Sequence, residues 1–381
     1  MAVPEKGLEF LEQLKKQNGK EKQGFSQFGK YLEVKARDKG VPISGQFELT
    51  PLCNFDCKMC YVHLLPEQMS NRTPFSTETW KRLMHQAWGA GMIYATLTGG
   101  ECLTYPGFKE LYLYLQSLGC EMDILTNGFL LDEKWIHFFQ EHKPKSIQVT
   151  LYGWNDDVYE RVTGQRAFTT VKENIRKALN AGLHLSICIT PSCFLGEDVL
   201  ETVWVAKSMG IDVIINNSLF TPREETGRSQ VNHVTDAEMY VKIFRLMNDL
   251  DGKKTMEVNE KNLPAAGSQK HESSEQGLRC GGGRSSFVID WKGTMMPCNR
   301  LDIIRSHPLE EGFDAAWAKI NKMANEWPRV PECEGCPYDS VCSNCAGNML
   351  VCAEPGKQPI AICERTKYYV QHGIVHIPEC D

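Results

Sequence analysis

Three cysteines fall within eight residues, Cys53-Asn54-Phe55-Asp56-Cys57-Lys58-Met59-Cys60. On one tight loop this CxxxCxxC spacing can hold three irons of a [4Fe–4S] cluster and leave the fourth iron without a protein ligand. An open coordination position is what a catalytic metal site keeps and a structural one closes. The competing readings are a zinc knuckle or three separately buried thiols. Thr98-Gly99-Gly100-Glu101 is a second candidate. Two glycines let a backbone approach a ligand closely, and a carboxylate accepts hydrogen bonds from an ammonium. Alone, the same triplet is an ordinary turn. A third constellation runs from Cys280 through twelve residues to Gly293 and four more to Cys298. Cys333-x2-Cys336, five residues, and Cys342-x2-Cys345 follow, with Cys352 and Cys363 beyond. Clustered thiolates of this kind call for a soft metal, zinc or iron–sulfur.

Composition limits what surrounds these residues. The chain has 381 residues, 42 Lys+Arg against 48 Asp+Glu, and a formal net charge of −6. A slightly acidic balance offers no footing for a nucleic-acid or membrane-surface role, which needs a concentrated basic face. No apolar run reaches the length of about 18 residues that spans a bilayer. The start, Met1-Ala2-Val3-Pro4-Glu5-Lys6, lacks a basic segment followed by an apolar one, so no signal peptide is read there. The expected compartment is the reducing cytoplasm, where 16 cysteines point to metal ligation rather than to disulfides.

The elements that must position the cysteines are legible from residue 46 onward. Short apolar runs at Phe47–Thr50, Ile93–Leu97, Met122–Leu125, Ile147–Leu151, Leu185–Ile189 and Val213–Ile215 read as strands. Amphipathic stretches at Thr77–Ala90, Phe108–Leu118, Glu133–Glu141, Ala167–Ala181 and Asp198–Met209 separate them, and another covers Asp236–Leu250. Strands alternating with helices predict parallel strands joined by right-handed crossovers. Six such units predict an α/β fold, a partial (β/α)6 TIM barrel whose sites lie on loops at the C-terminal strand ends. The expected organisation is an N-terminal extension over 1–45, the barrel over 46–251, a polar linker over 252–279, a small cysteine-rich domain over 280–370 and a tail over 371–381.

The cysteine loop after the first strand resembles the signature of the radical SAM superfamily, and the later cysteines resemble its appended SPASM domain. The likeness covers roughly Phe47 to Tyr369, and among members it is nearest to maturases of ribosomally made peptides. It implies a [4Fe–4S] cluster on Cys53, Cys57 and Cys60 whose free iron chelates S-adenosylmethionine (SAM). One-electron reduction then releases a 5′-deoxyadenosyl radical that abstracts hydrogen from a substrate. It further implies that Gly99, Gly100 and Glu101 meet the methionine amino group, although Cys102 stands where members usually have Pro. Asn127 and Thr150 resemble ribose and carboxylate contacts. Thr163 stands where members have an arginine for the SAM carboxylate, with Arg161 and Arg166 flanking it and either able to serve, and Met59 stands where members place an aromatic before the third cysteine, the aromatic here being Tyr61. By the family's topology Cys280, Cys298 and Cys345 hold a first auxiliary [4Fe–4S] cluster without an obvious fourth thiolate. Cys333, Cys336, Cys342 and Cys363 hold a second, and Cys352 can stand in at either.

Five cysteines remain. Cys120 and Cys188 read as small core hydrophobes, while Cys102 and Cys193 are expected near the barrel mouth, where a thiol can donate a hydrogen atom to a substrate radical. Cys380 has no assigned role. Asp290 and Arg300 flank the auxiliary cysteines and are candidates to touch substrate. The expected activity is a SAM-dependent radical oxidoreductase acting on a peptide, by a crosslink such as a thioether or by residue oxidation. Alternatives are a sulfatase-maturase-like side-chain oxidase, a small-alcohol dehydrogenase, a peptide epimerase and a zinc-stapled binding scaffold without activity. Expected partners are a flavodoxin or ferredoxin reductant and a separate leader-binding protein.

Overall fold

The computed structural model describes residues 21–69, 73–216, 219–227, 236–251, 277–342 and 345–375. Helix α1 (Glu21–Lys39) leads into β1 (Ser44–Glu48). Then follow α2 (Thr77–Gly89), β2 (Tyr94–Thr98), α3 (Phe108–Ser117), β3 (Glu121–Thr126), α4 (Glu133–Glu141) and β4 (Ser146–Thr150). After these come α5 (Asp156–Thr163), α6 (Phe168–Asn180), β5 (Leu185–Ile189), α7 (Asp198–Ser208), β6 (Asp212–Ile215) and α8 (Ala237–Leu250). Strands β1 to β6 pair in parallel with their sequence neighbours, as an incomplete barrel requires. Helix starts follow from capping: Ser76, Asp132 and Asn155 each accept a backbone N–H of the helix they open.

Two expectations are corrected. The first strand starts at Ser44 rather than Phe47, inside the segment read as an N-terminal extension. Its opening residues are polar, yet they pair on both sides, with β2 and with a strand from the far end of the chain. That strand, β7 (Ser286–Ile289), runs parallel to β1 in the register Ser44↔Ser286 to Phe47↔Ile289. Strand β8 (Met295–Met296) closes the sheet antiparallel to β7, giving the order β6-β5-β4-β3-β2-β1-β7-β8. The boundary drawn at 280 therefore does not separate two cores. Phe47 lies between Trp80 and Phe287, edge to face at 6.1 and 5.9 Å. Burying rings such as these is worth on the order of 2–3 kcal/mol each.

Beyond β8 the chain forms α9 (Pro308–Glu311), α10 (Phe313–Asn325), α11 (Ala346–Met349) and α12 (Ile360–Gln371). Ile374 and Val375, assigned to the tail, are buried in the main core. The linker lies outside the described residues except for Gly277–Arg279, where the backbone N–H of Leu278 donates to Ala324 O at 2.8 Å. Among the described residues no helix is long and apolar enough to cross a membrane.

Candidate functional site

The cysteine loop has no regular structure, so its shape must come from its neighbours. Asp56 N donates to Thr163 O at 3.0 Å and Lys58 N to Val162 O at 3.1 Å, which fastens it to the end of α5. This helix escaped the sequence reading, although Asn155 at its start and the left-handed Gly164 at its end are ordinary boundary signals. Phe55 fills the space beneath, against Phe129, Tyr152 and Tyr159. Two backbone groups point at sulfur: Phe55 N at Cys53 Sγ and His63 N at Cys60 Sγ, both 3.3 Å. Burial first, and then the Glu101 carboxylate, push the Cys53 thiol up to about 12. A bound cation reverses such a shift by deprotonating the thiol outright. Burial first, and then Cys57, Cys60 and Cys53, push the Tyr152 hydroxyl above its ordinary value, so all three sulfurs lie near one ring. Among the described residues Asn54 Nδ2 is buried without an acceptor. Three grouped thiols beside an unmet donor fit a [4Fe–4S] cluster carrying an acceptor-rich ligand.

The Gly-Gly-Glu triplet is placed otherwise than a ligand-facing reading expects. A Cβ on Gly99 would lie 2.5 Å from Thr50 O, and one on Gly100 would lie 2.3 Å from Leu52 O. The close approach is to the segment that carries Cys53. Gly100 N donates to Thr50 O at 2.7 Å and Glu101 N to Leu52 O at 2.9 Å. The Glu101 carboxylate is fully buried and already taken: Thr126 Oγ1 and Asn127 N donate to it at 2.8 Å and Leu103 N at 3.1 Å. Burial nonetheless raises its pKa above the ordinary carboxylate value. Asn127 donates to Asn54 Oδ1 at 2.8 Å, with Cys53 Sγ 3.7 Å away, so the third strand end reaches the cysteine loop. Cys102 is completely buried and donates to Leu125 O at 3.3 Å. It sits in the core rather than at a mouth where a substrate radical could reach it.

The other candidates separate. Thr150 is half-buried at the end of β4, opposite Cys188 in register. Arg161 lies on a cleft of about 600 Å³ that it shares with Lys58, Cys193 and Glu201. Its guanidinium pairs with Asp198 at 2.5 Å and also donates to Phe194 O and Leu195 O. Arg166 is spent on exposed pairs with Asp157 and Glu160. Cys193 is exposed, Cys120 is buried and Cys188 half-buried, and Cys380 lies outside the described residues. Tyr61 turns inward: its hydroxyl donates to Glu48 Oε1 at 2.8 Å, and the other Glu48 oxygen takes Arg223 Nη1 at 2.7 Å. Sequence reading passed over Glu48 and Arg223, although an acid between Phe47 and Leu49 in a strand is itself a signal.

The C-terminal thiols form two groups. Burial, then Cys280 and Cys345, raise Cys298 to about 12. Burial, then Cys342, Cys363 and Cys336, raise Cys333 to about 11. The latter four border a cavity of about 420 Å³. Among the described residues no three His, Cys, Asp or Glu side chains converge on a single metal ion. Cys352 is exposed and is not among the residues lining that cavity, although burial first and then Cys363 push its thiol up.

Residues 47–209 match the radical SAM superfamily. Over 316 residues, 80% of this chain and 67% of the relative, the sequence is 22% identical to the antilisterial bacteriocin subtilosin biosynthesis protein AlbA of Bacillus subtilis. Identity is 24% to the sporulation killing factor maturation protein SkfB of the same organism, over 72% of this chain and 65% of that one. The chain thus spans about two thirds of the length of both. The solved structure of Streptococcus suis SuiB bound to precursor peptide SuiA shares the fold, with a TM-score of 0.64 at 15% identity, covering 88% of this chain and 79% of SuiB. Residues 47–209 thus form a radical SAM domain, and 88% of the chain shares its fold with SuiB.

Proposed function

We propose that this protein is a SAM-dependent oxidoreductase that modifies a ribosomally made peptide, forming a crosslink such as a thioether or oxidising a residue. The observation that carries the reading is the Cys53–Cys60 loop, held between the end of β1, Gly99-Gly100 and α5 with its three thiols grouped. When bound, a [4Fe–4S] cluster with SAM supplies a 5′-deoxyadenosyl radical to abstract substrate hydrogen. The chain's residues do the positioning. Cys53, Cys57 and Cys60 hold the cluster, Asn127 and Asn54 set the loop, and Arg161 and Thr150 are the candidates for SAM contacts. Cys280, Cys298 and Cys345, and separately Cys333, Cys336, Cys342 and Cys363, hold two auxiliary clusters. A peptide substrate is supported by the relatives' names, biosynthesis and maturation proteins of peptide products, and by SuiB having been solved with its precursor peptide. A low-potential flavodoxin or ferredoxin is the expected reductant in the cytoplasm, with a separate protein presenting the peptide leader.

The test has two stages. Anaerobic reconstitution is expected to give about twelve irons per chain, three clusters of four. About four irons with bound zinc would reduce the C-terminal part to a structural role. Turnover with leader-bearing, cysteine-containing peptides should then yield products lighter by two hydrogens, and tandem fragmentation separates a crosslink from a side-chain oxidation. Unchanged peptide masses across the panel would refute the peptide reading.

A further inference from the structure

Between the Cys53–Cys60 loop and the Cys280/Cys298/Cys345 group lies a polar network that no step above uses. Tyr61 directly follows Cys60, and Asn299 directly follows Cys298. The two meet, with Asn299 Nδ2 donating to the Tyr61 hydroxyl at 3.0 Å. That hydroxyl has one proton and gives it to Glu48 Oε1 at 2.8 Å. Asn299 must therefore turn its NH₂ toward Tyr61, which fixes the amide orientation. Among the described residues its Oδ1 is buried with no donor. On the other side of Glu48, Arg223 uses Nη1 for the ion pair at 2.7 Å, its side chain only 9% exposed. Among the described residues its Nη2 is buried with no acceptor. The arginine is held firmly: its backbone N donates to Tyr61 O at 3.1 Å, its guanidinium lies 5.4 Å from the Tyr61 ring centre, and Gln68 ties down the next turn through Glu225 O and Thr226 O.

An unmet buried donor and an unmet buried acceptor on one network each carry a desolvation cost that a complementary ligand removes. An amide offers one of each, a carbonyl for Arg223 Nη2 and an N–H for Asn299 Oδ1. Charge selects among ligands. Arg223 already faces Glu48 and senses Asp290 and Glu225, the last also paired with Lys292. A carboxylate would add another anion to these, and an ammonium would face the guanidinium, so a neutral group fits best.

We propose that Arg223 and Asn299, braced by Glu48 and Tyr61, form a receptor for one uncharged amide of the substrate, located between the radical-cluster loop and the first auxiliary thiol group. It rests on the peptide reading for the source of that amide, a backbone unit or an Asn/Gln side chain.

The test uses the reconstituted holoenzyme and saturation-transfer NMR with two small probes, N-acetylglycine N-methylamide and acetate. Wild type should bind the amide and ignore acetate. Arg223→Lys keeps a cation on Glu48 but deletes Nη2, and Asn299→Ala deletes Oδ1. Each should bind the amide about fivefold more weakly, the loss of one hydrogen bond, with iron content unchanged. Acetate binding as well as the amide, no amide binding, or variants equal to wild type would each overturn the proposal. Should Asn299→Ala fail to fold, Arg223→Lys decides alone. Acetamide competing as well as the dipeptide-like probe assigns the site to a carboxamide side chain; failure to compete assigns it to the backbone. If the probe binds and no peptide is converted, the receptor stands and the peptide reading falls. If peptides are converted and both variants keep the wild-type KM, the receptor falls and the peptide reading stands.

Discussion

Gly100→Ala separates two uses of the glycine pair. If the glycines exist to let a ligand approach, alanine costs ligand affinity and spares the fold. If they exist to let the cysteine loop approach, as the structure shows, alanine moves the loop. An added Cβ lies 2.3 Å from Leu52 O, and ordinary contact begins at 3.4 Å, so the backbone must retreat by 3.4 − 2.3 = 1.1 Å. That stretches the bonds from Gly100 N to Thr50 O, now 2.7 Å, and from Glu101 N to Leu52 O, now 2.9 Å, beyond hydrogen-bonding length. Two lost bonds cost about 1 kcal/mol each, and backbone overpacking adds about 1–3 kcal/mol. The sum is about 3–5 kcal/mol, a large share of a typical stability of 5–15 kcal/mol. Urea unfolding of the iron-free chain reads the stability, and anaerobic reconstitution reads the iron. Both should fall, the iron by about one cluster of four. Gly29→Ala in α1, where nothing lies within 4 Å of the new Cβ, should instead stabilise by about 0.5–1 kcal/mol. A Gly100→Ala protein within about 0.5 kcal/mol of wild type, with full iron, would refute the loop-approach reasoning.

Three further outcomes follow from the same geometry. Cys102→Ala should leave turnover within about twofold of wild type and cost on the order of 1 kcal/mol in urea unfolding, because the thiol is buried; a large drop in product would restore it as a hydrogen donor. Glu101→Gln places an NH₂ where the carboxylate accepts from Thr126, Asn127 and Leu103, costing about 2–4 kcal/mol. Its pH dependence has a definite sign. A carboxyl whose folded pKa is raised makes the native state bind more protons, so wild-type stability falls as pH climbs from the ordinary 4.5 through the raised value. The deficit of Glu101→Gln should therefore shrink across that window, and a deficit that grows with pH contradicts the burial argument. Lastly, Cys333→Ser should lose about four irons on reconstitution, while Cys352→Ser should keep the full complement; equal losses would make Cys352 a ligand.

How much of this was legible in the sequence depends on how local the determinant is. The strand–helix alternation reads cleanly, with Glu133–Glu141 marked as a helix and found as one, because hydrophobic period is a property of neighbouring residues. What escaped is non-local. Ser44-Gly45-Gln46 looks polar, and only the pairing of β7 with β1 makes it strand. Gly99-Gly100 reads as a ligand loop because a sequence does not show which backbone approaches it. Arg223 and Glu48 are 175 residues apart, so their ion pair leaves no spacing to detect.

The β7–β1 pairing also decides how the two thiol regions are held relative to each other. Cys53 follows β1 after four residues, and Cys298 follows β8 after one. Strands β1, β7 and β8 are consecutive in one sheet, over a core that runs without a break from Phe47 through Phe287 to Trp317. A hinge between barrel and cysteine-rich segment would have to break that ladder. The spacing from Cys60 to Cys298 is thus a property of the sheet, and Tyr61 and Asn299, one residue beyond each, inherit it. That is why a single hydrogen bond of 3.0 Å can join residues 238 positions apart.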